Sequence, residues 1–500
     1  MDRDSRIVLV EPRAPGYHVY SRVALPRLGL PQIAAILRRA GFNNIQQYCE
    51  DLGPIDIRDV CTADFVGIST TTSTAHAAYH LGSKVKQQNP RAVVVIGGVH
   101  VTFMPDEPFD VEYCKRWEIP FPVCDHVIRG EAEEIIVPLL EAYVEGEPIK
   151  ERVLGVTLRN SFQERIDHKR TVQNIDELPF PELHSISGIE RMRIAPVVTS
   201  RGCPFDCTFC SVIEMFSQRM RYRSVDPEDS RSVIAEMKQI LHQQIRSVFF
   251  YDDNFNANNK RTKLLLENMI RANVVPRAWT AQVRATEIVR DRDLLKLMKR
   301  TNCIMLYLGL ESVNPETLLE YNKKQSVEQI VEAIRILKEY NIRAHGMFVF
   351  GADEDTAESL RYTADFAIKN DISTVQFMIL TPLPGTRYFQ MLHEQERIFD
   401  YDWSRYDAHH TVYWPKRMSP HELQFETFDA MRRVYGWSRI TAPMLRSNYL
   451  TSFFRYYGHN LVNKHLTKTA VYTDALPREI KPIVEPRSVR QPIKLELTPS

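Results

Sequence analysis

Short, unbroken apolar runs recur along this chain at intervals that leave room for one helix between neighbours, and that rhythm confines it to an α/β architecture. The first series comprises Ile7-Val8-Leu9-Val10, Phe65-Val66-Gly67-Ile68-Ser69, Val93-Val94-Val95-Ile96-Gly97-Gly98 and Val127-Ile128. None alternates polar with apolar side chains, which is the pattern of strands covered on both faces of a parallel sheet. A helix from Pro31 to Ala40, closed by Gly41, supplies the first βα step. Residues 1–145 are therefore expected to form a Rossmann-like, doubly wound domain whose ligand crevice lies at the carboxyl ends of its strands.

Periodicity weakens across 146–190, where the segment DELPFPEL suits a linker better than a core element. It resumes with strands expected at 195–200, 246–252, 277–284, 304–310, 344–350 and 374–380, and six such repeats over 191–395 imply a partial barrel or a large α/β sheet. Helix caps agree: Asp226-Pro227 pairs an N-cap with a first-turn proline, and Ser326 with Gln329 forms a capping box before Ile330, Ile334 and Leu337. A helical, aromatic-rich region is expected over 396–466, followed by a Pro- and charge-rich tail, 467–500, expected to be mobile.

Five hundred residues, 44% of them hydrophobic, exceed one ordinary core and fit this division into several units. Lys and Arg number 64 against 63 acidic residues, so no global field draws the chain to nucleic acid, and no nucleic-acid partner is expected. The N-terminal segment lacks the apolar core and small-residue cleavage site of a signal peptide, and no run of about 18 apolar residues occurs, so a cytoplasmic protein is expected.

Five of the eight cysteines, Cys49, Cys61, Cys114, Cys124 and Cys303, stand alone, whereas Cys203, Cys207 and Cys210 fall within eight residues directly after the first strand of the second series. Strand-end loops carry ligands and chemistry in parallel α/β architectures. Three thiolates can hold three irons of a four-iron cluster and leave the fourth iron open, whereas four would close it. A structural zinc site is the bland alternative, but it would want a second short Cys/His motif, and none lies nearby.

The segment Cys203-Pro204-Phe205-Asp206-Cys207-Thr208-Phe209-Cys210, with Phe209 ahead of the last cysteine, resembles the cluster loop of the radical S-adenosylmethionine (SAM) superfamily. That resemblance implies a partial (βα)₆ barrel and a [4Fe-4S] cluster held by Cys203, Cys207 and Cys210. It also implies SAM chelated by the open iron, and an external electron donor whose electron cleaves SAM to a 5′-deoxyadenosyl radical that abstracts hydrogen from substrate. Around the barrel it implies Asp252 or Asp253 near the SAM methionine moiety and Glu311, in Gly309-Leu310-Glu311-Ser312, as a SAM contact. Phe209 joins that cofactor set, and Val349, in Val349-Phe350-Gly351, falls on a strand that backs the adenine. Gln282 and Arg284 alternate on the third strand, so both can face the interior and serve ribose hydroxyls or a carboxylate, or else form a buried ion pair. Ala352-Asp353 departs from the family's apolar-Pro pair, leaving the role of Asp353, Glu354 and Asp355 open, and Thr381-Pro382-Leu383-Pro384-Gly385-Thr386 reads as a rigid loop. No catalytic residue is assigned beyond the cluster.

The first domain is similar to the cobalamin-binding domain of class B radical SAM proteins, through Pro26-Arg27-Leu28-Gly29-Leu30 and Gly97-Gly98-Val99-His100. The Asp-x-His-x-x-Gly signature for a cobalt ligand is absent, and neither His18 nor His100 is assigned to cobalt. With cobalamin the expected reaction is methylation of an unactivated carbon. Without it, radical cyclisation, carbon–carbon coupling or oxidation of a hydrophobic substrate is the alternative, and a non-catalytic corrinoid- or metal-binding module is the remote one. The aromatic and basic stretch 437–466 is expected to pack as core, with a peripheral membrane surface as its alternative and a small-molecule, lipid-like substrate compatible with it. His409, His410, Tyr413 and Trp414 are candidates for the barrel mouth.

Overall fold

The first apolar run becomes β1 (Ile7–Glu11), and its alternate residues serve two separate cores. Ile7 and Leu9 pack with Ile33, Leu37, Leu139 and Leu140 from helices Gly29–Arg39 and Ile136–Glu145. Val8 and Val10 face the other way, toward Ala78, Tyr79 and Val85 of helix Ala75–Gln88. This two-sided cover explains why the runs carry no polar alternation.

Around β1 stand β2 (Ile45–Cys49), β3 (Phe65–Thr70), β4 (Val93–Gly98), β5 (His126–Ile128), β6 (Val156–Leu158) and β7 (Ile186–Ser187). Their order is β6-β5-β4-β3-β1-β2-β7, parallel throughout except that β6 runs against β5. The chain reverses its direction of winding between β1 and β3, so the crevice of this doubly wound sheet opens at their carboxyl ends. The structure, a computed structural model, describes residues 1–16, 25–147, 149, 156–158, 171–216, 220–243 and 245–482. His18 and the last part of the expected tail, 483–500, lie outside that set.

The expected linker 146–190 is corrected in part, because it supplies both edge strands of the first sheet, β6 and β7. Strands of two or three residues are too short to show a period in sequence. What seats β7 is Gln47 of β2, whose side-chain amide donates to Glu182 O at 2.8 Å and to Ser185 Oγ at 2.7 Å.

The second series begins with β8 (Ala195–Val197), followed by a two-residue antiparallel pair, β9 (Ser200–Arg201) and β10 (Arg221–Tyr222). Then come β11 (Ser247–Phe250), β12 (Ala278–Val283), β13 (Cys303–Glu311), β14 (Arg343–Phe350) and β15 (Thr374–Ile379). β8 and β11 to β15 form one six-stranded, all-parallel sheet in chain order, the partial barrel expected. Trp279, Ala281, Leu306, Leu308, Phe348, Phe350 and Phe377 point outward beneath the helices, while Phe249, Thr280, Gln282, Tyr307, His345 and Met347 alternate with them and line the interior.

The outermost strand, β15, does not end in an open edge. Helix Pro420–Val434 packs on it, and the Tyr435 hydroxyl accepts the Val375 N–H at 2.9 Å and donates to Val375 O at 2.5 Å. The last helix, Tyr449–Ala475, runs through the residue at which a mobile tail was expected to start. The core reading of the aromatic stretch is also overturned. Arg455 is the residue that turns inward, donating to Ser373 O, Ile372 O and Arg439 O and pairing with Asp371, so Tyr449, Phe453, Tyr456 and Tyr457 are left on the outer face.

Residues 402–406 latch this C-terminal region onto the first domain. The fully buried Trp403 donates its indole N–H to Glu107 at 3.0 Å and meets the His100 ring edge-on at 5.2 Å. Trp403→Ala removes both the packing and the donor, and a loss of about 3–5 kcal/mol is expected, read as a lowered midpoint in urea unfolding.

Candidate active site

Three consecutive residues at the end of β11 hold the cysteine loop. Asp252 is shut from solvent, and its carboxylate accepts the Thr199 N–H at 3.2 Å, the Thr199 hydroxyl at 3.0 Å and the Ser200 hydroxyl at 2.5 Å. Asp253 accepts the Gly202 N–H at 3.1 Å, and the Asn254 side-chain amide stands 4.0 Å from Cys203 Sγ. Gly202 itself has φ +92°, a conformation that only glycine takes without strain. Burial raises both carboxyls, Asp253 to about 6, while the donors from the loop oppose that rise. Asp252 was a candidate for the SAM methionine moiety. The structure commits both its oxygens to the loop backbone and hydroxyls instead.

The loop is fastened on its far side as well. Thr208 donates its N–H to Tyr321 O at 3.3 Å, the Asn322 amide donates to Asp206 O at 2.7 Å, and Arg387 pairs with the Asp206 carboxylate at 2.5 Å. A loop that starts after β8 thereby reaches segments that follow β13 and β15, across the open side of the partial barrel.

Cys207 is buried, and Cys203 and Cys210 are partly accessible. Burial, with the neighbouring sulfurs adding to it, pushes the Cys203 thiol up and the Cys210 thiol to about 12. Metal ligation takes the thiolate form, so a cationic cluster is the natural counterpart of this buried sulfur set. Among the described residues no three His, Cys, Asp or Glu side chains are grouped to hold a single metal ion. An iron–sulfur cluster spreads its three thiolates over three irons, so three cysteines on one loop are a donor set that fits a cluster.

Arg284 and Glu311 line the approach to this loop. Arg284 is buried, its guanidinium stacks on the Phe205 ring at 3.7 Å, and it donates to Lys323 O, while its Nε has no partner among the described residues. Asn254 Oδ1 is likewise buried without a partner. Unmet donors and acceptors beside the cluster loop are what a polar cofactor such as SAM would satisfy.

Glu311 sits past an irregularity in the β13–β14 register with φ +61°, a rare conformation for this side chain. Its carboxylate accepts from Lys323 Nζ at 2.6 Å, and both groups are buried. Sequence reading missed Lys323, which follows a short helix and belongs to no motif. A Cβ on residue 309 would lie 2.7 Å from Glu311 Oε1 and 2.9 Å from Lys323 Nζ, so a larger residue there would have to shift the ends of both side chains. For Arg284 the structure shows the Phe205 stack and the bond to Lys323 O rather than an ion pair with a carboxylate, and the buried ion pair beside it is Glu311–Lys323.

Phe209 meets the Tyr321 ring edge-on at 4.9 Å, and the buried Val349 accepts the Tyr321 hydroxyl through its carbonyl at 3.4 Å. Gln282 lies on the interior face, in register with Tyr307, which in turn aligns with His345 and then Thr374. The three acids after β14 have structural partners. Asp355 accepts the Gly351 and Ala352 N–H groups, Asp353 is gripped by Arg397, and Glu354 pairs with Arg417. Tyr413 is buried and donates to Gly351 O, and Trp414 O accepts from Arg397. His409 and His410 pack with His465 of the last helix.

The crevice of the first domain faces the same space. At the ends of β1 and β3 lie the buried Glu11, which pairs with Arg27 at 2.7 Å, and the hydroxyl-rich run Thr70-Thr71-Thr72-Ser73-Thr74. Tyr251, the residue after β11, is close enough to Glu11 and Arg27 for their charges to act on its hydroxyl. Gly98, at φ +106°, lets β4 close against Thr70. At the ends of β3 and β4 backbone and hydroxyls border the crevice, which fits an amide-rich corrin. His100 is buried beneath Trp403 with its Nε2 at 2.9 Å from Glu107, and its Nδ1 has no partner among the described residues.

Comparison with known proteins agrees with this geometry. Residues 197–367 match the model of the radical SAM superfamily, and residues 20–140 match the B12 binding domain. An uncharacterized methyltransferase of Pyrococcus horikoshii is 32% identical over 393 residues, spanning 76% of this chain and 81% of the relative. A bacteriochlorophyllide d C-12(1)-methyltransferase of Chlorobaculum tepidum is 28% identical, spanning 77% and 78%. An anaerobic magnesium-protoporphyrin IX monomethyl ester cyclase of Cereibacter sphaeroides is 27% identical, spanning 74% and 60%. Among solved structures, the methyltransferase TsrM of Kitasatospora setae, with cobalamin and a [4Fe-4S] cluster bound, superposes with TM-score 0.60 at 19% identity over 79% of this chain and 75% of that one. The cobalamin-dependent enzyme OxsB reaches 0.67 at 16% over 93% and 75%.

Two outcomes follow from the site. Lys323→Met leaves the Glu311 carboxylate buried and unanswered, with an expected loss of about 3–5 kcal/mol in urea unfolding, most of it recovered when Glu311→Gln is added. His345, in the barrel interior with Thr374 at 2.8 Å, is lowered by burial to about 4. The unfolded chain then binds a proton at higher pH than the folded one, so stability is full above about pH 6.5 and declines toward pH 4. Urea midpoints should fall from pH 7.5 to pH 5 by the equivalent of about 2 kcal/mol from this group, and His345→Gln should flatten that slope.

Proposed function

The chain belongs to the radical SAM superfamily, with a B12 binding domain ahead of its barrel, and from that premise we propose that it transfers a methyl group to an unactivated carbon of an apolar small molecule. The observation that carries this reading is the meeting of two strand-end mouths, where Arg201, two residues ahead of Cys203, pairs with Glu131 at 2.6 Å and Glu133 at 2.7 Å beyond β5 of the first sheet. When bound, a [4Fe-4S] cluster with SAM supplies a carbon-centred radical by reductive cleavage, and cobalamin supplies the methyl group.

The protein's own part is placement and exclusion of water. Cys203, Cys207 and Cys210 would hold three irons, and Asp252, Asp253 and Asn254 fix the loop that carries them. Arg284, Glu311 and Lys323 offer charged groups beside that loop, Phe209 and Val349 offer apolar walls, and Gln282 offers an amide from the interior face. Asp253, with one donor from the loop, is the acid that remains for the SAM amino group. The hydroxyls of 70–74 and the glycines 97–98 would border the corrin.

Named substrates of the relatives include a bacteriochlorophyllide, a magnesium porphyrin ester and, for a hopanoid C-2 methylase of Rhodopseudomonas palustris that is 24% identical over 233 residues, a hopanoid. All are large and apolar, which supports a lipid-like substrate and a peripheral membrane contact for this chain. No described helix is long and apolar enough to cross a membrane. Reductive cleavage at a cluster calls for an external electron donor and goes with a reducing, cytoplasmic setting. The cyclase relatives keep radical cyclisation, coupling or oxidation as the competing reaction.

Anaerobically reconstituted protein should carry about four irons and, with SAM, reductant and cobalamin, release 5′-deoxyadenosine and S-adenosylhomocysteine. Cys207→Ala should lose both products. Deoxyadenosine with no cobalamin-dependent S-adenosylhomocysteine would move the assignment to cyclisation or coupling, and zinc in place of iron would overturn it.

A further inference from the structure

The two faces of the barrel sheet are closed to different degrees. On the outer face Phe250, Trp279, Leu306, Phe348 and Phe377 are exposed by no more than 1%. On the inner face Phe249, Thr280, Gln282, Tyr307, His345 and Met347 all keep some accessible surface. That surface does not look onto bulk water. Burial, with no neighbouring charge contributing, pushes the His345 imidazole down to about 4 and raises the Tyr307 hydroxyl. Side chains that are desolvated and yet accessible line an internal hollow.

Strand register stacks the wall of this hollow in layers. Gln282, Tyr307, His345 and Thr374 align across four strands, Gly309, Met347 and Gln376 align one layer nearer the carboxyl ends, and Val349 with Met378 stand one layer above that. Rings run along the wall without a break: Tyr251 lies 5.4 Å from Phe249, Phe249 5.7 Å from Tyr307 and Tyr307 4.9 Å from His345, centroid to centroid. Hydrogen-bonding groups stand among them. The Thr280 hydroxyl bonds that of Tyr307, and the His345 ring is held by Thr374 at 2.8 Å and by the Gln376 side chain. One group is left over. Gln376, which alternates with the outward Val375 and Phe377, is 7% exposed, and its amide Nε2 has no partner among the described residues. A buried amide donor is costly until an acceptor meets it.

We propose that this hollow takes the reacting end of the substrate as an uncharged, unsaturated ring bearing a hydrogen-bond acceptor, its face against Phe249 and Tyr307 and its acceptor on Gln376 Nε2. The inference deepens the methyl-transfer reading above and rests on it for calling the occupant a substrate. A wall of aromatic side chains packs a flat ring offset or edge-on. A saturated hydrocarbon would cover Thr280, Gln282 and Gln376 and return no hydrogen bond to any of them. A carboxylate would leave water for a floor where His345 is neutral and no cation acts on it. The Gln376 layer lies directly beneath that of Val349, so a ring held there would present its edge to the carboxyl-end mouth, where the cysteine loop stands.

The test is a titration of anaerobically reconstituted, SAM-bound protein, without reductant, with three probes of one size: acetophenone, ethylbenzene and benzoate. Binding is followed on the ring resonances of His345, assigned by their loss in His345→Gln. The expected result is that acetophenone shifts them with half-saturation at least about fivefold below that of ethylbenzene, the worth of one hydrogen bond, while benzoate leaves them in place. Gln376→Met, with an unchanged unfolding midpoint, should bring acetophenone to the level of ethylbenzene. No shift with acetophenone, equal half-saturation by ethylbenzene, binding of benzoate as tight as that of acetophenone, or an unchanged acetophenone affinity in Gln376→Met would overturn the proposal. Should Gln376→Met fail to fold, the comparison of the three probes on the unaltered protein still decides. The titration reads none of the radical chemistry: deoxyadenosine formed by a protein that does not bind acetophenone would overturn the site and leave the reaction, and binding without SAM cleavage would overturn the reaction and leave the site.

Discussion

One buried carboxylate organises the reactive end of this molecule. Asp252 leaves β11 pointing at the loop that follows β8, and there it accepts a backbone N–H and two hydroxyls from Thr199 and Ser200. A charge placed in the interior is tolerated only when such donors surround it. The requirement also runs the other way: the chain at 199–200 has to come to the carboxylate, and Cys203 follows within one turn of loop. Asp253 and Asn254 then extend the same grip to Gly202 and Cys203. The three sulfurs are held by a strand end rather than by a flexible loop, and that rigidity is what a cluster of fixed geometry asks of its protein.

The second constraint is the contact between the two sheets. Tyr251 lies within electrostatic range of the Glu11–Arg27 pair on one side of the contact. On another, Arg201 reaches Glu131 and Glu133, and Arg221 reaches Glu131. Arg201 and Arg221 belong to the small β9–β10 sheet that flanks the cysteine loop, so the first domain grips the element that carries the chemistry. Trp403 and the closely packed Gly385–Phe103 contact add apolar cover nearby. In the proline-rich turn before Thr386, Gly385, at φ +87°, lets the chain press against the Phe103 ring.

What the sequence made legible follows from what leaves a periodic trace. All six strands of the barrel and four of the seven in the first sheet announce themselves as apolar runs, because both faces of each are covered. β2 escapes through Gln46 and Gln47, both of which donate to the segment leading into β7, and β6 and β7 are too short to carry a period. The site divides in the same way. Cysteines at close spacing are visible in one dimension, whereas Lys323 becomes meaningful only when a loop folds it over Glu311. Asp252 and Asp253 are adjacent and chemically identical, and only the fold shows that the first is committed to the loop while the second keeps capacity to spare.

The aromatic stretch near the end shows why a stripe of hydrophobic residues does not by itself name the buried face. An amphipathic helix is normally read by assigning its apolar side to the core. Here the chain entering β15 presents the carbonyls of Ile372 and Ser373 and the carboxylate of Asp371, and no apolar side chain can satisfy them. Arg455 can, with its five donors in a fixed fork, and it turns its whole side of the helix inward along with Thr451, Ser452 and His465. The apolar residues then occupy the only face left. A helix buried by its arginine and exposed by its aromatics is in conflict with water, and the cost is borne because the backbone and carboxylate at the entry to β15 need the donors of Arg455.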